Sequence, residues 1–495
     1  MRQSAHGAVL SLGALIVFFS NSSCVPTSTR PDLEFDVPDN WSGGDMSEGK
    51  VGVTWWMEFE SDPLNDLIEE GLTQNYDLAA SLSRIDAAAA QAVRAGADLY
   101  PNVDAQFNGS RERQVFVGLP IPGSSDALVN RFTRYGLSLN TVWEIDFWGR
   151  VRAGKAAAIA ELEAAEVQYQ AARLSLAGQT ARAFFAMTEA SMQVRLAETT
   201  VANWRAASEQ VRDRFERGIR SSLDLRLALS NLSAAEAALE QRKLQRDGLT
   251  RQLEILVGRY PRGALEPISD LPSLGGPIPS GLPSELLRRR PDLFAAEKRV
   301  AAASARVHQA KVTLLPRISL TASGGTASGS LEDLSSSNFS VWSIGGNVVQ
   351  PIFDSGRIVA GIDEAKARVN EAIATYANTA LGAFREVETA LSAETALAAR
   401  ERFLRTSVEQ SEQAETLALD RYLRGLEDYI TVLEAQRRTA LARSNLISVR
   451  AQRIENRVDL ILALGGGWEA QTEGQEEAQD EKPMAATAPE GAPNS

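Results

Sequence analysis

Apolar and polar residues alternate near the end of the first third of the chain. Tyr135, Leu137, Leu139, Thr141, Trp143 and Ile145 share one phase, with Arg134, Gly136, Ser138, Asn140 and Glu144 on the other. Period-two alternation predicts a strand with one apolar and one polar face. It runs for 11 residues, and a strand that crosses a bilayer needs about 9–11. A partner strand begins around Val103, Ala105 and Phe107. Two further segments read the same way: Ile318, Leu320 and Ala322, then Phe339 to Val349, where looser alternation and glycines predict a bulge.

Elsewhere the period is helical. Val369, Ile373, Tyr376, Ala380, Phe384, Val387 and Leu391 step by 4, 3, 4, 4, 3 and 4, a narrow seam of the coiled-coil kind. That seam belongs to a long helix predicted from Gly356 to about Arg421, matched by another from Gly149 to about Arg214. At about 1.5 Å per residue the latter reaches roughly 96 Å. A turn at Gly218 or Gly425 ends each, where glycine suits a left-handed cap. Return helices follow, Leu223 to Val257 and Tyr429 to Leu464. Ala-rich helices at 77–99 and 292–314 precede the strands, and Pro101 and Pro316 stop them. A medium and a return helix together match a long helix in length, which predicts four columns of equal height, as a helical tube requires.

These elements occur twice. Asp77-Leu78 and Pro101 recur as Asp292-Leu293 and Pro316 at an offset of 215. Gly149-Arg150, Arg214-Phe215-Glu216-Arg217-Gly218 and Gly258 recur as Gly356-Arg357, Arg421-Tyr422-Leu423-Arg424-Gly425 and Gly465 at 207. One unit has been duplicated.

The ends change the picture. Arg2 precedes an apolar run of 12 residues, Ala8 to Phe19, too short for a membrane-spanning helix of about 20 and suited to a secretory signal. Cys24 is the only cysteine of the 495 residues. A lone cysteine after Ser22 and Ser23 points to cleavage and acylation there, although Asn21 stands where an aliphatic residue is usual. The net charge is −13, which argues against nucleic acid as a partner. The expected organisation is a signal at 1–23, a lipid-anchored segment at 24–63, a first repeat at 64–258, a Pro/Gly-rich linker at 259–282, a second repeat at 283–468 and an acidic disordered tail at 469–495.

Four strands cannot close a barrel, and an open sheet edge cannot face lipid. Two copies would give eight strands and three would give twelve; twelve leave an open lumen. The expected fold class is therefore mainly α with membrane β: coiled-coil-like helices forming an α-barrel, plus four strands per chain in a trimeric 12-stranded β-barrel.

The stretch Arg289-Arg290-Pro291-Asp292-Leu293-Phe294-Ala295-Ala296-Glu297-Lys298-Arg299 resembles a motif of the NodT-type outer-membrane efflux lipoproteins in the TolC-like family. So do Trp143-Glu144-Ile145-Asp146-Phe147-Trp148-Gly149-Arg150 and Trp55-Trp56-Met57-Glu58-Phe59. The resemblance covers about residues 30–468. It implies a homotrimeric outer-membrane exit duct that docks onto a periplasmic adaptor and an inner-membrane pump of the resistance-nodulation-division class. It also implies that Ile430 and Glu434 line the closed periplasmic aperture, Glu434 as a cation-attracting ring from the second copy only, since Leu227 holds the first-copy position. Phe215, Gly218, Tyr422 and Gly425 would form the tips that meet the adaptor. On spacing alone, Glu434 reads as a solvated glutamate and the glycines as plain helix turns. No cofactor, metal site or catalytic set is expected beyond lipid on Cys24: the two histidines, His6 and His308, lie apart. The nearest alternatives are a type I protein-secretion channel and, further off, a non-pore coiled-coil lipoprotein.

Overall fold

The structure is a computed structural model that describes residues 31, 33, 35–43, 51–116, 128–276 and 278–468. The expected signal, Cys24 and the acidic tail lie outside these residues. Within them the elements run α1 (Asp62–Gln74), α2 (Tyr76–Ala97), β1 (Asn102–Phe116), β2 (Leu128–Ile145), α3 (Arg150–Glu216), α4 (Ser222–Leu256), α5 (Pro283–Arg289), α6 (Pro291–Val312), β3 (Arg317–Ser328), β4 (Ser340–Val349), α7 (Arg357–Leu423) and α8 (Tyr429–Ala463).

The duplication is visible element by element. Helices α2 and α6 are related by 215 at both ends, and α3/α7 and α4/α8 by 207. The first residues of β1 and β3, Asn102 and Arg317, still differ by 215. The discrepancy of eight residues is therefore absorbed in the β-hairpins, of which the first is the longer. Helices α1 and α5 are additional to the predicted elements; each opens with a proline in its first turn, where a missing N–H costs nothing.

One compact unit comprises Ala80–Tyr169 and Ala295–Thr379. At its centre lies an antiparallel sheet in the order β1-β2-β3-β4. The registers pair Asn102 with Val142, Ile145 with Ile318, and Arg317 with Val349, and all three ladders run unbroken. The bulge expected between Phe339 and Val349 is absent; Gly345 and Gly346 pair in sequence with Thr321 and Leu320. Room is required at Gly325 on β3 instead, where a Cβ would lie 2.0 Å from the Leu137 carbonyl oxygen. The strands are also longer than expected, 15 residues for β1 and 18 for β2. Asp146 caps α3 by accepting from the Val151 and Arg152 amides at 3.0 and 2.8 Å, and Asp354 accepts from Ile358 at 2.8 Å ahead of α7. Each strand-to-helix junction is thus fixed by an aspartate.

The second unit comprises the described residues of Phe35–Ala79 and Gln170–Phe294, and those from Ala380 to residue 468. Trp55, Phe59, Phe184 and Phe185 are buried and packed edge-on or tilted against one another, the Phe59 and Phe185 rings 5.0 Å apart. The described residues between α4 and α5 carry no helix or strand, but they are tied down. The buried Glu254 carboxylate accepts from the Gly263 and Ala264 amides, both at 2.7 Å. Leu271 and Ile278 are buried, and Arg450 donates to the Leu271 carbonyl.

Duplicated positions hold duplicated contacts. Asn75 donates from its side-chain amide to the Leu256 carbonyl at the end of α4 (2.9 Å). Its equivalent, Arg290, donates to the Ala463 carbonyl at the end of α8 (3.1 Å). Arg290 additionally grips Asp292 with two bonds and Glu386 with one, at 3.0, 2.8 and 2.6 Å. This is the structural work of the Arg-Pro-Asp-Leu motif: Pro291 starts α6, Leu293 is fully buried, and the Arg–Asp fork joins α6 to α7 and α8.

Candidate channel-forming sheet and hairpin tips

The two faces of the sheet differ in chemistry. Alternation and register put Val103, Ala105 and Phe107 on one face, beside Tyr135, Leu137, Leu139, Thr141, Trp143 and Ile145. Ile318, Leu320 and Ala322 continue that face, followed by Trp342, Ile344 and Val348. Most of these apolar side chains are exposed, Trp342 and Ile344 to 78% each. The opposite face carries Asp104, Gln106, Asn108, Ser138, Asn140, Ser319, Thr321, Ser323, Ser343 and Asn347. An exposed apolar face this large has no use in water. From Tyr135 to Ile145 it climbs about 26 Å, at about 3.4 Å per residue and a tilt near 40°, which is the height of the apolar band of an outer-membrane barrel. Trp143 anchors the helix end of the band by donating to the Leu99 carbonyl at 2.9 Å. Among the described residues no helix is long and apolar enough to cross a membrane. The sheet carries the membrane chemistry.

At the other functional place, each long helix closes in a Schellman turn. Gly218 donates to the Phe215 carbonyl and Ile219 to that of Arg214, at 2.9 and 2.8 Å; Gly425 and Leu426 repeat this on Tyr422 and Arg421 at 3.0 and 2.9 Å. Both glycines have positive φ, +73° and +76°, which accounts for the residue type. A shared core of Trp204, Val211, Ala228, Ala418, Tyr422, Tyr429, Val432 and Leu433 binds the two hairpins together. Phe215 is partly exposed, as a docking tip requires, but Tyr422 is only 2% exposed. The expectation that Tyr422 meets a partner directly is corrected: its ring packs 5.3 Å from Tyr429 and lies under Arg220, so it braces the turn. Burial, then Tyr422 and Asp224, push the Tyr429 hydroxyl up to about 12, so it stays neutral. The exposed apolar residues at the tips are instead Ile219, Leu223, Leu423 and Leu426. Ile219 and Leu426 follow the capping glycines directly, a spacing readable from sequence.

Ile430 is 65% exposed, in the first turn of α8. One turn on, Glu434 is clamped by Arg437 at 2.8 Å and Arg438 at 2.8 Å. Hydrogen bonds from Arg438 and then Arg437 hold its carboxyl below the usual carboxylate value. The i+3 and i+4 arginines were legible in the sequence and change the local charge from −1 to +1. Among the described residues no group of three or more His, Cys, Asp and Glu side chains could hold a metal ion.

An amphipathic four-stranded sheet with a lipid-facing apolar face, together with duplicated helical hairpins, defines an outer-membrane channel protein. The comparisons with known proteins agree. The profile of the outer membrane efflux protein family matches residues 67–259 and 282–466. The chain is 33% identical over 476 residues to the outer membrane protein OprJ of Pseudomonas aeruginosa, covering 95% of this chain and 97% of that protein. It is 32% identical over 454 residues to the pyoverdine export outer membrane protein OpmQ of Pseudomonas putida, covering 90% and 95%. Among solved structures, the Campylobacter jejuni outer-membrane channel CmeC superposes with a TM-score of 0.83 at 25% identity, covering 92% of this chain and 97% of that one. The outer-membrane channel OprN gives 0.79 at 28%, covering 89% and 100%. The chain belongs to the outer membrane efflux protein family. It is an outer-membrane efflux duct.

Proposed function

We propose that three copies of this chain close a 12-stranded barrel in the outer membrane, that their helices form a periplasmic tunnel, and that the duct passes small molecules delivered by a periplasmic adaptor and an inner-membrane pump of the resistance-nodulation-division class. The observation that carries the reading is the sheet. It has two unpaired edges, β1 and β4, and an apolar face of bilayer height. Unpaired backbone groups cannot face lipid. Because β1 and β4 run in opposite directions, the β4 edge of one copy can pair antiparallel with β1 of the next, and closure removes every edge. Small-molecule export is supported by the named roles of relatives, pyoverdine export and solvent efflux. Ile430 and Glu434 would line the periplasmic aperture. Phe215, Gly218 and Gly425, with the neighbouring exposed leucines, would form the adaptor-facing tips. Lipid on Cys24 would hold the N-terminal segment at the membrane; palmitate labelling lost in Cys24→Ser tests it.

The barrel is tested by disulfide cross-linking. Gln106→Cys on β1 is combined in turn with Ser343→Cys, Gly345→Cys and Asn347→Cys on β4, all on the polar face. One member of the panel is expected to give covalent dimers and trimers in membranes. A panel that gives only monomers, while the intrachain pair Ser323→Cys/Ser343→Cys (hydroxyls 2.9 Å apart) oxidises normally, would overturn it.

A further inference from the structure

The longer first hairpin continues past the apolar band. Beyond Tyr135, which pairs with Gly109 and with Ser328, the last residue of β3, the ladder carries on alone through Arg111–Thr133 and Arg113–Arg131. Alternation places Arg111, Arg113 and Arg131 on the same face as Phe107, Leu137 and Tyr135, the face that meets lipid. Arg113 and Arg131 are directly opposed, and Arg111 is two residues along, so the three guanidiniums lie within about 5–8 Å of one another at their roots. All three are exposed. Among the described residues none takes part in an ion pair. Of the described acids, Glu112 pairs with Phe132 on the opposite face, and Asp333 accepts from the Ser328 hydroxyl at 3.1 Å.

Like charges opposed across a strand pair destabilise it unless something neutralises them. Their height says what does. Counted from Tyr135, Arg111 sits about 5 Å and the Arg113–Arg131 pair about 10 Å above the apolar band, at about 3.4 Å per residue and 40° of tilt. The headgroup layer occupies roughly the first 5–8 Å beyond the hydrocarbon, and long cationic side chains bend back toward it. The hairpin end lies away from the helices, on the outer-leaflet side. The second copy carries Thr326 and Ser328 at the positions of Arg111 and Arg113.

We propose that Arg111, Arg113 and Arg131 form a binding site on the lipid-facing wall for a phosphate-bearing headgroup of an outer-leaflet lipid. Guanidinium forks match phosphate oxygens bidentately, and three cations on one ridge can share a doubly phosphorylated headgroup. The site rests on the reading that the apolar face meets lipid, and it goes beyond the duct function: it fixes the depth of the hairpin in the membrane and selects the lipid around it.

The test uses full-length purified mature protein in detergent, with lipid retention measured by native mass spectrometry. The probes are bisphosphorylated lipid A, its dephosphorylated form and inorganic phosphate. Wild type is expected to retain lipid A and not the dephosphorylated form. At about fivefold per arginine near a charged membrane surface, Arg111→Gln/Arg113→Gln/Arg131→Gln should weaken retention about a hundredfold, and the triple lysine variant should keep most of it. Arg134→Gln, on the polar face of β2, should leave it unchanged. Equal retention by the triple glutamine variant, or displacement of lipid A by millimolar inorganic phosphate, would overturn the proposal. If the triple variant does not assemble, Arg113→Gln and Arg131→Gln singly are each expected to lose about fivefold; no loss in either overturns it. Bilayer conductance of the same variants separates the two readings: unchanged conductance with lost lipid selectivity supports the site, whereas absent conductance in wild type would strike the duct reading itself.

Discussion

Removing the Arg290 side chain should open the junction it holds by a predictable amount. The guanidinium makes four bonds: two to Asp292, one to Glu386 and one to the Ala463 carbonyl. Its own side chain is 11% exposed, whereas Asp292 and Glu386 keep 38% and 46% of theirs. Burial opposes the charge on Arg290, but the two carboxylates outweigh it, and the group stays protonated. In Arg290→Ala both carboxylates can rehydrate. The loss therefore falls below the roughly 3–5 kcal/mol of breaking a fully buried pair. What remains is an unsatisfied carbonyl and lost charge-assisted bonds, about 2–3 kcal/mol. Amide hydrogen exchange reads this locally. Protection at residues 285–295 and 459–466 should fall about 30- to 140-fold, at about 1.4 kcal/mol per tenfold. Arg290→Lys should recover only part, since one ammonium cannot grip both carboxylates. At the duplicated position, Asn75→Ala loses an N-cap as well as the Leu256 contact and should cost about 1 kcal/mol around residues 76–80. Exchange at the Arg290 junction that changes less than about threefold would refute the assignment of this fork as the tie between α6, α7 and α8.

Three further outcomes are expected. Gly425→Val forces a β-branched residue to φ +76° and should destabilise the second hairpin by about 1–3 kcal/mol, seen as protease cleavage near residues 424–428; the space around Gly425 is open, so a clash cannot explain it. Burial raises the Glu254 carboxyl, but the backbone amides of Gly263, Ala264, Leu265 and Arg262 more than offset this and hold it below its usual 4.5. Its stabilising effect is thus complete above about pH 4.5 and lost as pH falls through the lower folded value; Glu254→Gln should flatten that acid limb of the melting profile, and an unchanged limb would sink the assignment. At the aperture, Glu434→Ala leaves two arginines per chain uncompensated and should shift reversal potentials toward anions, while Arg437→Ala should shift them toward cations; identical potentials in both would remove these residues from the pore.

Much of this architecture could be read from the chain because duplication makes every signal appear twice. Proline stops, capping glycines and the Ala-rich runs placed the helix ends close to those observed, and alternation exposed β2 directly. The rest failed for physical reasons. Gly345 and Gly346 looked like a bulge because a glycine that pairs in register has the same sequence as one that interrupts pairing. Tyr422 looked like a tip residue because duplication pairs it with Phe215 beside a capping glycine, yet its ring is drawn inward by Tyr429 across the turn and by Arg220 of the other hairpin, a contact far apart in sequence. The clamp on Glu434 was within reach, since arginines three and four residues on lie on the same helical face. The arginine ridge on the first hairpin was not, because only the register shows that Arg131 faces Arg113.

Whether the oligomer forms a pore is tested most directly by reconstituting the purified mature protein in planar bilayers and recording single-channel currents. A folded oligomer is expected to give small, stable, discrete conductance steps. A folded oligomer that inserts yet passes no current, even at high voltage, would contradict the duct reading.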